Sequence, residues 1–102
     1  MTKGYWIARV DVYDAEAYKN YVAHNSAAFK KYGARFLVRG GQFALKEGMA
    51  RSRNVVIEFP SYQAALDCFH SPEYQHALSF RRGPVSAGDV VIIEGYDGPQ
   101  PG

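Results

Sequence analysis

A chain of 102 residues has room for one domain and buries roughly 65% of the surface its unfolded form exposes. An apolar fraction of 47%, with 8 Tyr and 6 Phe, excludes a disordered chain. The 12 Lys and Arg stand against 10 Asp and Glu, and no basic run exceeds two residues, so nothing in the charge favours nucleic acid or an acidic membrane as a partner.

The single Cys68 excludes an internal disulfide and a cysteine-based zinc cage. Met1-Thr2-Lys3-Gly4 runs straight into a strand pattern without the apolar core of a signal peptide. No apolar run approaches the ~18 residues of a membrane span. A soluble, cytoplasmic protein is expected.

Tyr5 to Val12 alternates, with Trp6, Ala8, Val10 and Val12 on one side and Tyr5, Ile7, Arg9 and Asp11 on the other, which predicts a first strand. Asp14 then suits a helix N-cap, and Glu16 suits the first turn, where the helix dipole favours an anion. The helix runs to about Tyr32 and carries Tyr18, Tyr21, Val22, Asn25, Phe29 and Tyr32 on one stripe, read as core packing. Lys30 and Lys31 in the last turn, with Gly33 just beyond, match C-terminal capping.

From Ala34 the period falls to two: Phe36 and Val38 point one way, Arg35, Leu37 and Arg39 the other. The pair Gly40-Gly41 ends this second strand and reads as a bulge, since no helix N-terminus follows it to make a phosphate cradle. Glu47-Gly48 is turn chemistry. Met49 to Arg53 reads as the exposed returning arm of a long hairpin, and Asn54 to Phe59 as a third strand stopped by Pro60.

Ser61 and Ser71 each cap a helix, and Pro72 fits a first helical position, so two pieces are expected over about 62–70 and 72–82. Asp89 to Gly95 is the fourth strand, with Val91 and Ile93 opposing Val90, Ile92 and Glu94. Residues 1–96 then form a single domain, and 97–102 form a flexible tail.

The order β-α-β-β-α-β predicts an α+β, ferredoxin-like sandwich: a four-stranded antiparallel sheet with both helices on one face. The other face is expected to carry Tyr5, Ile7, Leu37, Val56, Val90 and Ile92. Interspersed among them come Arg9, Arg35 and Arg39 and the acids Asp11, Glu58 and Glu94. Uncovered, this would be a sizeable apolar patch. A second copy of the same face would cover it and pair its opposite charges, so a homodimer is expected.

Several motifs in order carry a family resemblance: Tyr32-Gly33-Ala34-Arg35-Phe36-Leu37-Val38-Arg39-Gly40-Gly41, Glu47-Gly48, Val56-Ile57-Glu58-Phe59-Pro60-Ser61, Ser71-Pro72-Glu73-Tyr74-Gln75, Arg81 and Glu94-Gly95. From Gly4 to Gly95 the chain resembles the uncharacterised bacterial proteins of domain of unknown function family 1330. The resemblance implies a ferredoxin-like fold in the dimeric α+β barrel superfamily. Ala34 stands where a second glycine often follows Tyr-Gly, and Cys68-Phe69-His70 replaces a more usual aromatic pair. Both departures would shape a pocket near the second helix.

The charged face supplies the catalytic candidates. With an unslipped hairpin Leu37 faces Glu58, and Arg35 and Arg39 lie on its diagonals within reach of long side chains. Arg39 then anchors a small carboxylate or carbonyl compound through its planar fork, with Arg9 on the same face and Glu58 or Glu94 as base. The bland alternative is an ion-pair network that sets dimer register.

Tyr74 and Arg81, seven residues apart on one helix side, could line a pocket mouth and complete the substrate-binding set. Alternatively, Tyr74 packs and Arg81 caps or snorkels. His24, His70 and His76 are scattered and Cys68 reads as a buried small hydrophobe, so no metal site and no cofactor are expected. RNA-recognition modules share the element order but need stacking aromatics on the open face of the third strand, where Val56 and Glu58 stand.

The functional expectation is a dimeric enzyme acting on an organic acid or carbonyl compound without cofactor. The alternative is a non-catalytic ligand-binding or accessory dimer whose charged face is structural.

Overall fold

In the computed structural model, which describes residues 2–102, strand β1 (Gly4–Val12) leads into helix α1 (Ala15–Lys31), and strand β2 (Arg35–Arg39) follows. Strand β3 (Arg53–Phe59), helices α2 (Tyr62–His70) and α3 (Pro72–Leu78), a 3-10 turn at Gly83–Val85 and strand β4 (Ser86–Glu94) complete the chain. The boundaries follow local chemistry. The Asp14 carboxylate accepts from the Ala17 N–H at 3.0 Å, and the Ser61 and Ser71 hydroxyls accept from Ala64 and Tyr74 at 3.0 and 3.1 Å. Gly33, at φ +73°, carries the chain out of α1 in a conformation that glycine adopts without strain. The helical piece after Ser71 stops at Leu78 instead of reaching 82, and β4 starts earlier than expected, at Ser86.

The strands form one antiparallel sheet in the order β2-β3-β1-β4, with the helices packed on one face: the ferredoxin-like layout. Trp6 is the centre of the core between them. Its indole N–H donates to the Ala65 carbonyl at 2.9 Å, and the rings of Phe29, Phe59, Phe69 and Tyr74 lie 4.8–5.7 Å from its own. The pairs with Phe29, Phe69 and Tyr74 are edge-to-face, and such pairs add about 0.5–1.5 kcal/mol each beyond the area they bury. Gly4 lets β1 pass under the start of α2, since a Cβ there would meet the Ser61 carbonyl oxygen at 2.5 Å.

Two faces differ from the sequence pattern. In the β2–β3 ladder Phe36 pairs with Ile57, Val38 with Val56 and Arg39 with Val55. Leu37 is therefore an extra residue, a β-bulge within the strand and not at Gly40-Gly41. The bulge inverts the parity beyond it: Val38 joins the open face, and Arg39 moves to the helix side. It also sets Arg35, not Leu37, opposite Glu58.

In β4, Val90 pairs with Ala8 and Ile92 with Trp6, so these two face the helices while Val91 and Ile93 lie outside. Four consecutive β-branched residues carry no parity signal of their own; the register with β1 decides it.

Between β2 and β3, residues 40–52 form an exposed arm without helix or strand. Its return is tied down. The Ser52 N–H donates to Asp11 Oδ1 at 2.9 Å, and Arg51 bonds Asp11 at 2.9 Å and Asp89 at 2.8 Å. Residues 97–102 follow β4 without helix or strand. No helix among the described residues is long and apolar enough to cross a membrane.

Candidate ligand-binding site

Helix α1 turns Tyr18, Tyr21, Val22 and Asn25 toward the sheet because they recur every three or four residues. Beneath them lie inner-face side chains of β1 and β3, and between the two layers is a cavity of ≈ 40 Å³. Arg39 and Arg53 border it from the roots of the arm, and Arg81 from the chain just after α3.

Each arginine has a local reason to be there. The bulge at Leu37 turns Arg39 inward, and its guanidinium stacks 4.2 Å from the Phe36 ring centre. Arg53 pairs with Val10 and so shares the inner face with Val55 and Ile57. Arg81 donates to the Tyr74 hydroxyl at 3.3 Å and lies 5.2 Å from the Tyr21 ring centre. The Tyr21 and Tyr74 hydroxyls bond each other at 2.8 Å. The helix that was to put Tyr74 and Arg81 on one side ends at Leu78, and it is the turn after it that returns Arg81 to the Tyr74 hydroxyl, with Tyr74 in the core at 1% exposure.

Burial dominates the electrostatics. It pushes the Tyr21 phenol far above its ordinary value, and the neighbouring Tyr74 hydroxyl adds to the rise. Burial also raises Tyr18, against the opposing pull of Arg53 and Arg81. Burial alone would lower the Arg81 guanidinium, but Tyr74 and Tyr21 outweigh it and hold the charge on. Among the described residues, the lining holds three guanidinium groups and no carboxylate, imidazole, amine or thiol. A half-enclosed cavity of that composition concentrates positive potential and attracts anions.

The other candidates lie elsewhere. Glu58, on the open face, accepts from the Tyr5 hydroxyl at 3.1 Å, and Glu94, exposed at the end of β4, accepts from the Thr2 hydroxyl at 3.2 Å. Among the described residues neither is in an ion pair, so the expected bond from Arg39 to Glu58 is absent. The bulge has moved Arg39 to the opposite face.

Arg9 also stays on the open face, 4.0 Å from Asp89 in a network with Asp11 and Arg51. There a backbone bond from Ser52 holds Asp11 below its ordinary value, with Arg51 assisting, and Arg51 does the same for Asp89. Arg51 rises in turn.

Cys68 is fully buried and pushed up to about 12 by that burial, so it packs as a small hydrophobe. His24 and His76 bring their rings to 5.3 Å across α1 and α3, a proximity their sequence positions do not show.

Sequence reasoning missed Tyr18, Tyr21, Asn25 and Arg53. Asn25 was the available signal: a polar side chain, buried in the structure, within an otherwise aromatic and aliphatic stripe. Extending the Val55, Ile57, Phe59 alternation back by one step also places Arg53 inside.

The sequence matches the family described as Domain of unknown function (DUF1330) over residues 3–96. No curated protein matches it. Among solved structures, the chain is similar to the RPA0582 protein of unknown function from Rhodopseudomonas palustris, at a TM-score of 0.72 and 18% identity, covering 95% of this chain and 85% of that one. It is also similar to SnoaB, a cofactor-independent oxygenase from Streptomyces nogalater, at a TM-score of 0.62 and 14% identity, covering 96% and 97%. At such identities the likeness establishes the fold alone.

Proposed function

We propose that this chain, which belongs to the DUF1330 family, is a homodimeric enzyme that acts on an organic acid or carbonyl compound without a cofactor. One observation carries the reading: Arg39, Arg53 and Arg81 converge with the Tyr21–Tyr74 hydroxyl pair on a cavity whose lining holds no acid. Guanidinium and phenol donors held around a half-enclosed site stabilise a carboxylate on binding and the negative charge that develops on a carbonyl oxygen during enolisation. In this reading Arg39, Tyr74 and Arg81 bind the substrate, with Arg53 added to the set. SnoaB, a cofactor-independent oxygenase of the same fold, supports chemistry of this type on such a scaffold.

A second reading has its own support. The lining supplies no carboxylate or imidazole as general base, and Glu58 and Glu94 do not border the cavity. That favours a ligand-binding dimer in which Arg9 and Glu58 serve the contact between copies.

The test of the shared core is a thermal-shift screen of small carboxylic acids and carbonyl compounds, followed by fluorescence of Trp6, the one Trp of the chain and a wall of the cavity. Stabilisation by at least one acid, lost in Arg81→Gln, is expected. A flat response to the whole panel defeats both readings. Turnover of a stabilising compound then separates enzyme from binder.

A further inference from the structure

The cavity's size, set beside its charge, narrows the ligand. We infer that the site takes a short-chain oxo or hydroxy acid, with about five or six non-hydrogen atoms, and rejects aromatic acids; this inference rests on the organic-acid reading above. A buried water needs about 10–15 Å³ of such space, and an apolar cavity that admits benzene measures about 150 Å³. At ≈ 40 Å³ this one holds the equivalent of roughly three waters, a liquid volume of about 90 Å³. That suits a carboxylate with one or two further carbons and an oxygen. A benzene ring exceeds it.

The walls resist enlargement. Trp6 and Tyr74 are each 1% exposed and pack edge-to-face at 4.8 Å, and the Tyr21 hydroxyl is tied to Tyr74. Close-packed rings cannot yield a ring's volume without off-rotamer cost.

The polar groups match two oxygen functions. Arg53 and Arg39 stand on the arm side and suit a carboxylate. Arg81, with the Tyr21–Tyr74 hydroxyl pair, is a separate donor group suited to a carbonyl or hydroxyl oxygen. Three cations without a lining acid also leave charge to be neutralised, which a neutral ligand of equal size would not do.

Isothermal titration of the full-length protein with pyruvate, lactate, acetone and benzoate tests this. Pyruvate or lactate binds saturably; acetone, which keeps the carbonyl but lacks the carboxylate, binds at least tenfold more weakly, and so does benzoate. Arg53→Gln, at a half-buried position, weakens the short acids at least tenfold with an unchanged melting temperature. Arg81→Gln weakens the short acids to a similar extent.

Benzoate binding as tightly as the short acids overturns the size class yet leaves the organic-acid reading standing. Acetone binding equally well overturns the role of charge. Silence from pyruvate and lactate, while another acid of the thermal-shift panel binds, also overturns the inference alone. Silence from every acid removes the parent reading with it.

Discussion

The Tyr74 hydroxyl has two partners, Tyr21 at 2.8 Å and Arg81 at 3.3 Å, in a place from which water is largely excluded. Tyr74→Phe keeps the ring packed on Trp6 but leaves Tyr21 without that bond, so a loss of about 1–2 kcal/mol is expected in urea denaturation. The companion Tyr21→Phe removes the other end of the same bond, and the double variant should cost less than the sum of the singles.

On the open face the pH dependence has a definite sign. Asp11 and Asp89 are held below their ordinary value of 3.8 by Ser52 and Arg51, so they bind protons less readily folded than unfolded. Their stabilisation is complete above that value and is lost as pH falls through the lower folded values. Melting temperature against pH should therefore fall on the acid side, and more gently in Arg51→Gln. Parallel curves for the two proteins would refute the coupling.

At the scale of elements, the bulge in β2 is the decisive local event. Two residues, Leu37 and Val38, oppose the single Val56, and the strand regains its register with Arg39 against Val55. Deleting Leu37 restores plain alternation while keeping Arg39 on the inner face. The deletion is therefore expected to fold and to retain acid binding, read by thermal shift. A deletion variant that folds but loses the acid response would refute this account of the bulge.

None of this was legible from β2 alone, because Phe-Leu-Val is compatible with either parity. The α1 stripe and the two capping serines were legible, because helical spacing and N-cap chemistry act within a few residues. The same stripe shows the limit of pattern: Tyr18, Tyr21 and Asn25 have the periodicity of core residues whether the space beneath them is filled or open.

At the scale of the molecule, the open face exposes Ile7, Leu37, Val38, Val91 and Ile93, each more than two-fifths accessible. Arg9, Arg35 and Arg51 share that side with Asp11, Glu58 and Asp89. The charges balance, as a two-fold contact requires, though Arg51 and Asp89 take the places first given to Arg39 and Glu94. Sedimentation should show a dimer, with a buried area near the standard ~1,600 Å². Ile7→Glu combined with Val91→Glu should dissociate it. Arg39→Leu should leave the dimer intact, because its side chain lies across the sheet from that surface. A monomer at every concentration would end the dimer proposal.

The sequence by itself determined the element order, the caps, the aromatic core and the ferredoxin-like layout, all of which arise from interactions repeated at short spacing. Tertiary structure alone decided which face Arg39, Val90 and Ile92 occupy and which arginines share a cavity. A strand's parity is a property of its pairing partner, and a single extra residue reverses it. A cavity, likewise, exists only between layers that meet after the chain has folded.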